Sequence, residues 1–188
     1  MPKRLHLALL AIILSIFLEA CGVPTHVTGG GWIPSNSGDG KANFGFNADA
    51  CEDPFKATGH FNFHDKKGLI ANGASIMGGI KLNGKVVEAS RCVADDPSLP
   101  VTSGCQVCES LLGIDGKIDY HALSATYDST NPKALGSGIV YACAKDNGEG
   151  GKSSSDLAVI TIVGGPFDGY INAGPVQGNI QQHRCEQS

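Results

Sequence analysis

Two five-residue segments constrain this chain more than any other feature. In Asn43-Phe44-Gly45-Phe46-Asn47 and again in His60-Phe61-Asn62-Phe63-His64, a phenylalanine stands at every second position with a small or polar residue between. A period of two places the rings on one face of an extended strand and the polar groups on the other, an arrangement a helix would scatter. Such a chain has to build sheets that are buried on one side. Further strands are predicted at Ile118 to Tyr127, Gly138 to Ala144 and Leu157 to Val163. The last is apolar on both faces and is expected in the middle of a sheet packed on both sides. Tyr170 to Gln182 alternates weakly and is interrupted by Gly174, Pro175 and Gly178. Within Ile80 to Val87, Asn83-Gly84 stands between apolar runs, the pattern of a two-residue hairpin turn. With 26 glycines, 17% charged residues and no helical period of convincing length, the expectation is an all-β fold: an antiparallel β-sandwich of about eight to nine short strands with no major helix.

The amino terminus reads as an address. Lys3 and Arg4 precede an apolar run from Leu7 to Leu18 broken by Ser15, the order of a secretory signal and too short to span a bilayer. Leu18-Glu19-Ala20-Cys21 resembles a lipobox, with Glu19 an unusual occupant of its middle position. The division is therefore a signal peptide over 1–20, a lipidated tether over 21–28 with Cys21 carrying the lipid, and one domain over 29–185. Acyl chains at Cys21 would hold the domain on a membrane surface, in the cell envelope at the outer membrane or cell surface. Removing 1–20 takes Lys3, Arg4 and Glu19 from 14 basic and 18 acidic residues and leaves 12 against 17. That balance argues against a nucleic-acid partner, which calls for a basic face.

With Cys21 assigned to lipid, six cysteines remain: Cys51, Cys92, Cys105, Cys108, Cys143 and Cys185. An even number in an exported chain reads as a disulfide framework whose connectivity the sequence leaves open. Cys105-Gln106-Val107-Cys108 has two other readings, a redox pair or a zinc half-site completed by Cys92 and Cys143. Against the first, a thioredoxin-type motif belongs at a helix start in a βαβ unit. The segment Cys105 to Leu112 reads equally as a short helix or a cystine-rich turn.

Several ordered motifs also resemble a known family. Thr28-Gly29-Gly30-Gly31-Trp32-Ile33, Gly40-Lys41-Ala42-Asn43-Phe44-Gly45-Phe46-Asn47-Ala48 and Gly59-His60-Phe61-Asn62-Phe63-His64-Asp65 are similar to the opening of a family of secreted bacterial all-β domains of unknown function. Asp146-Asn147-Gly148-Glu149-Gly150, Asp156, Gly178-Asn179-Ile180-Gln181 and His183 are similar to its closing motifs. The resemblance implies an exported β-domain without an assigned catalytic mechanism. The chain departs from the pattern over 93–113, a longer loop carrying Cys105 and Cys108.

Four oxygen-bearing side chains, Asp146, Asn147, Glu149 and Asp156, share one loop and form a candidate calcium site, since hard cations take six to eight oxygen ligands. Their spacing is not that of an EF-hand, and a solvated Asn-Gly turn accounts for them equally well. No other cofactor is expected. His60, Asn62 and His64 project from one face of a strand, with the two imidazoles roughly 13 Å apart along it, too far to share one ion. Together with Trp32 they are candidate ligand contacts. Exposure of Trp32, Tyr120, Tyr127 or Tyr170 beside polar neighbours would favour stacking on sugar rings. Ser153 to Ser155 with His121 or His183 lack a nucleophile elbow, and Gly29 to Gly31 lack the context of a phosphate loop. The function expected is a non-catalytic envelope lipoprotein with a structural or ligand-binding role toward a glycan or an envelope protein. The alternative is a periplasmic thiol- or metal-dependent protein using the Cys105–Cys108 loop.

Overall fold

The computed structural model describes residues 21–93, 101–112, 120–146 and 156–185; the segment 1–20, read above as a signal peptide, lies outside them. The strands are β1 Cys21–Val23, β2 His26–Pro34, β3 Lys41–Asp49, β4 Thr58–Asp65 and β5 Ile80–Val93. They continue with β6 Tyr120–Ser129, β7 Ser137–Lys145, β8 Leu157–Val163, β9 Ile171–Pro175 and β10 Gln177–His183. One α-helix, α1, spans Ser103–Leu112 between β5 and β6. The protein is all-β and antiparallel.

The expected two sheets are one. Each strand from β2 to β8 pairs with the next, β10 pairs back onto β2, and β1 adds to β5. Only Val176 separates β9 from β10, so one bent strand holds β8 with its first half and β2 with its second. Asn172 Nδ2 donates to Pro34 O at 2.8 Å across the bend. The sheet thereby curls nearly into a barrel, with β2 to β8 and the bent β9–β10 as its staves. Alternation of apolar and polar residues is the same in a sandwich and a barrel; the β10–β2 pairing distinguishes them, and it lies outside any local pattern.

The rings of the two opening motifs point inward as their alternation requires. Phe44, Phe46, Phe61 and Phe63 are buried with Leu82, Val86, Leu123, Tyr127, Val140, Ile160, Ile162 and Ile180 in the main core. At the end of the inner face, Asp65 is fully buried. Its carboxylate accepts from Ser35 Oγ at 2.8 Å, Tyr170 Oη at 2.9 Å and the Lys67 backbone N–H at 3.1 Å.

Two expectations change and one open reading is decided. Asn83-Gly84 is not a turn: β5 runs through it for 14 residues. Ile80, Leu82, Gly84 and Val86 continue the inward alternation, and a Cβ on Gly84 would stand 3.2 Å from the Ala125 Cβ. The close neighbour, not a positive φ, explains the glycine. The segment 21–28 contributes β1 and the start of β2 rather than a free tether. The chain also has a helix, within the insertion read over 93–113.

That helix rests on the outside of the sheet. A bulge between Val86 and Glu88 makes Val87 an extra residue, so the inward positions of β5 pass from even (Leu82, Val86) to odd (Ala89). Cys92 therefore faces outward. There it joins Cys105, Cys108, Tyr120, Ala122, Cys143 and Val159 in a second, smaller core under α1. Ala122, Cys143 and Val159 each alternate with main-core residues on their strands, which places this cluster on the opposite face. The strand β8, expected to be covered on both sides, is so at Val159, while Leu157 and Val163 are exposed.

Candidate functional site

The six cysteines form three bridges: Cys51–Cys185, Cys92–Cys105 and Cys108–Cys143. Cys105 and Cys108 face the same way on α1 but are bonded to different strands, and both are fully buried. Neither sulfur is a thiolate available for exchange or for zinc, which removes the footing of the thiol reading at this loop. The helix start is held by polar contacts as well. Thr102 Oγ1 accepts the Cys105 N–H at 3.3 Å as a cap and lies 2.7 Å from Ser90 Oγ, and Ser103 donates to the Glu88 carboxylate. The start of α1 and its two cystines are anchored, and the helix covers the outer face around Cys92, Ala122, Cys143 and Val159.

Among the described residues, nothing covers the outer face of β3, β4 and β5 in this way. Registers align its side chains in three rows. The first runs Trp32, Asn43, His64, Lys81; the second Gly30, Gly45, Asn62, Asn83; the third Thr28, Asn47, His60, Lys85. Asn43, Asn47, His60, Asn62, His64, Lys81, Asn83 and Lys85 are all exposed. An open groove of about 320 Å³ follows the first two rows across these three strands. Phe44, Phe63 and Leu82 also line it but are buried on the inside, so they offer backbone to it. The sequence motif therefore encodes both faces: its rings fill the barrel and its intervening residues make the groove.

Trp32 is half-buried beside this groove, with Lys41 Nζ 4.0 Å from its ring centroid. Tyr120, Tyr127 and Tyr170 are buried, so of the four rings considered for stacking only Trp32 presents surface. Burial pushes the hydroxyls of Tyr120 and Tyr170 above the ordinary tyrosine range, with the charge of Glu109 adding to it for Tyr120 and that of Asp65 for Tyr170. Both are structural groups that stay protonated.

The other candidate residues are placed elsewhere. Asn147 and Glu149 of the calcium loop, and Ser153 to Ser155, lie outside the described residues. Asp156 is a buried fastening: its carboxylate accepts the Ile180 N–H at 2.8 Å and its carbonyl accepts from Val176 at 2.7 Å, pinning the start of β10 to β8. Among the described residues no three His, Cys, Asp or Glu side chains form a group that could hold a metal ion. His121 is buried with Nδ1 3.1 Å from Thr25 Oγ1, and His183 Nε2 lies 2.8 Å from Thr28 Oγ1. Sequence reasoning named His60, Asn62 and His64 but missed Asn43, Lys81 and Asn83, which only strand register brings beside them. Comparison of the chain with family models, with curated proteins and with solved structures gives no match.

Proposed function

We propose that the protein is a non-catalytic module of the cell envelope, held at a membrane by lipid on Cys21, that binds a glycan with the outer face of β3, β4 and β5. The observation carrying this reading is the open groove flanked by Asn43, Asn62 and Asn83 beside a half-exposed tryptophan, on a barrel whose interior is packed with side chains. Amide groups that donate and accept, next to an aromatic face, match the alternating hydroxyls and C–H surfaces of a sugar. The three disulfides support an oxidising compartment and with it the export signal. The pairing of Cys21 with Val93 supports a short connection between the lipid and the barrel. The protein would then sit close against its membrane instead of on a long leash.

The test is affinity electrophoresis of the full-length protein in mild detergent through gels containing purified polysaccharides, neutral and charged. Retardation by at least one polymer, abolished by Trp32→Ala together with Asn62→Ala at unchanged melting temperature, is the expected result. Unimpeded migration through every polymer would sink the glycan reading. Mass analysis of the exported protein tests the anchor, expecting diacylglyceryl on Cys21 and its loss in Cys21→Ala.

A further inference from the structure

Most strand glycines in this fold have a steric reason to be glycine. A Cβ on Gly29 would lie 2.6 Å from the Phe46 ring, and one on Gly138 would lie 2.6 Å from the Gly164 carbonyl oxygen. Gly31, Gly59 and Gly178 have φ of 148°, 139° and 158° and backbone atoms closer than 2.5 Å to any added Cβ. Two glycines differ. A Cβ on Gly45 would meet nothing within 4 Å, and one on Gly30 would make only ordinary contacts, 3.6 Å to the Phe44 carbonyl oxygen being the nearest. Neither has a positive φ. Glycine in a strand costs stability and packs nothing, and it commonly marks a place where a ligand approaches the backbone. Gly30 and Gly45 are adjacent in register, in the middle row of the groove side.

Lysines stand in or beside the rows around this gap. Lys81 stands in the first row, Lys85 in the third, and Lys41 over Trp32; among the described residues none of the three forms an ion pair. Two carboxylates adjoin the rows: Asp128, in register with Asn83, accepts from Ser137 Oγ at 2.7 Å on its far side, and Asp49, two positions beyond Asn47 on the same face of β3, accepts the Cys51 N–H at 3.1 Å. A chain with more acid than base thus keeps a cationic, amide-lined trough on this face. Lys81 and Lys85 are four residues apart along β5, roughly 13 Å, which spans a few sugar rings. Lysines act as point charges and suit spaced single carboxylates; the forked geometry of arginine, favoured for bidentate anion recognition, is absent from these rows.

Resting on the glycan reading, we infer that the ligand is an acidic polysaccharide of the uronic-acid type, laid across Gly30 and Gly45 with one carboxylate near Lys81 and an adjacent ring against Trp32. The backbone gap admits the sugar, the Asn43, Asn62 and Asn83 amides take its hydroxyls, and Lys81 with Lys85 selects its charge.

The experiment measures binding of the full-length protein in detergent to polygalacturonate, to the same polymer fully methyl-esterified, to neutral dextran and to a single-stranded oligonucleotide, at low and moderate salt. Polygalacturonate should bind at least about tenfold more tightly than the ester or dextran and should weaken with salt, as exposed charge pairs do. Lys81→Gln should reduce affinity for polygalacturonate severalfold. Gly45→Thr should keep or raise the melting temperature, because threonine suits a strand better than glycine, while lowering affinity about tenfold or more; Asn62→Ala is the companion variant if threonine perturbs the sheet. Equal binding of the ester or dextran overturns the acidic assignment and leaves the glycan reading standing. Binding of no polysaccharide overturns both. Full affinity in Gly45→Thr and Asn62→Ala overturns the location, and equal or tighter binding of the oligonucleotide overturns the class of ligand.

Discussion

The buried carboxylate of Asp65 shows how single residues hold this fold. A fully buried charge is tolerated only when its hydrogen-bonding capacity is used, and Ser35, Tyr170 and the Lys67 N–H use it. Tyr170→Phe keeps the ring packing against Phe63 and removes one bond to a charged acceptor, so a loss of about 1.5–3 kcal/mol in denaturant unfolding at pH 7 is expected. The same hydroxyl governs alkaline stability. Its folded-state pKa is raised above the ordinary value of 10.0, so its contribution is intact below about pH 10 and declines above it, as the unfolded chain ionises first. Wild type should therefore lose stability more steeply than Tyr170→Phe between pH 10 and 12; parallel curves would mean that the hydroxyl is not desolvated as described. Little of this was legible in the chain. Asp65 closes a recognisable strand motif, yet its partner Tyr170 stands 105 positions away. Asp156 read as a cation ligand because carboxylates in loops look alike until their backbone partners are known.

At the scale of elements, sequence reading succeeded where one signal dominated and failed where two competed. The rings of β3 and β4 had no rival to period two. In β5, Asn83-Gly84 gives a turn signal while Leu82, Gly84 and Val86 give a strand signal, and packing of Gly84 against Ala125 decides for the strand. The bulge at Val87 leaves no mark in composition, but it turns Cys92 outward toward α1. Deleting Val87 removes the extra residue while Glu88 stays opposite Ser124, so Cys92 should remain on the outer face, and mass spectrometry of the alkylated protein should find no free thiol at Cys92 or Cys105; free thiols there would refute the parity argument. The helix itself, left open between helix and turn in the sequence, is fixed by its cap and its two bridges. Thr102→Ala removes the cap and should cost about 1 kcal/mol. Replacing Cys92 and Cys105 by alanine releases a loop with a sequence separation of 13 and should cost about 3 kcal/mol, with the sheet spectrum in the far ultraviolet retained because the main core lies on the other face.

The whole molecule depends on a seam that no segment announces. Local alternation specifies strands with one buried face, and strands of that kind satisfy either two stacked sheets or one sheet rolled up. What rolls this sheet is the bend at Val176 and the pairing of β10 with β2, elements from opposite ends of the described chain. The seam rests on short strands, β9 of five residues on β8 and β10 of seven on β2. Cys51–Cys185 lies beside it, linking the end of β3 to the end of β10 across a sequence separation of 134. A bridge of that span restricts the unfolded chain more than either of the helix bridges, by about 5 kcal/mol on loop-closure grounds. It also prevents β10 from peeling away locally, which unfolded-state entropy alone does not capture. Cys51→Ala with Cys185→Ala should therefore act in two ways that separate experimentally. Global stability should fall by up to about 5 kcal/mol, and amide exchange in 177–183 and in β2 should accelerate under native conditions while β6 and β7 keep their protection. Uniform acceleration across all strands would mean that the bridge acts only on the unfolded chain and that the seam is no weaker than the rest of the barrel. Local opening would instead expose the backbone of Gly30 on β2, so the integrity of this disulfide and the shape of the groove would change together.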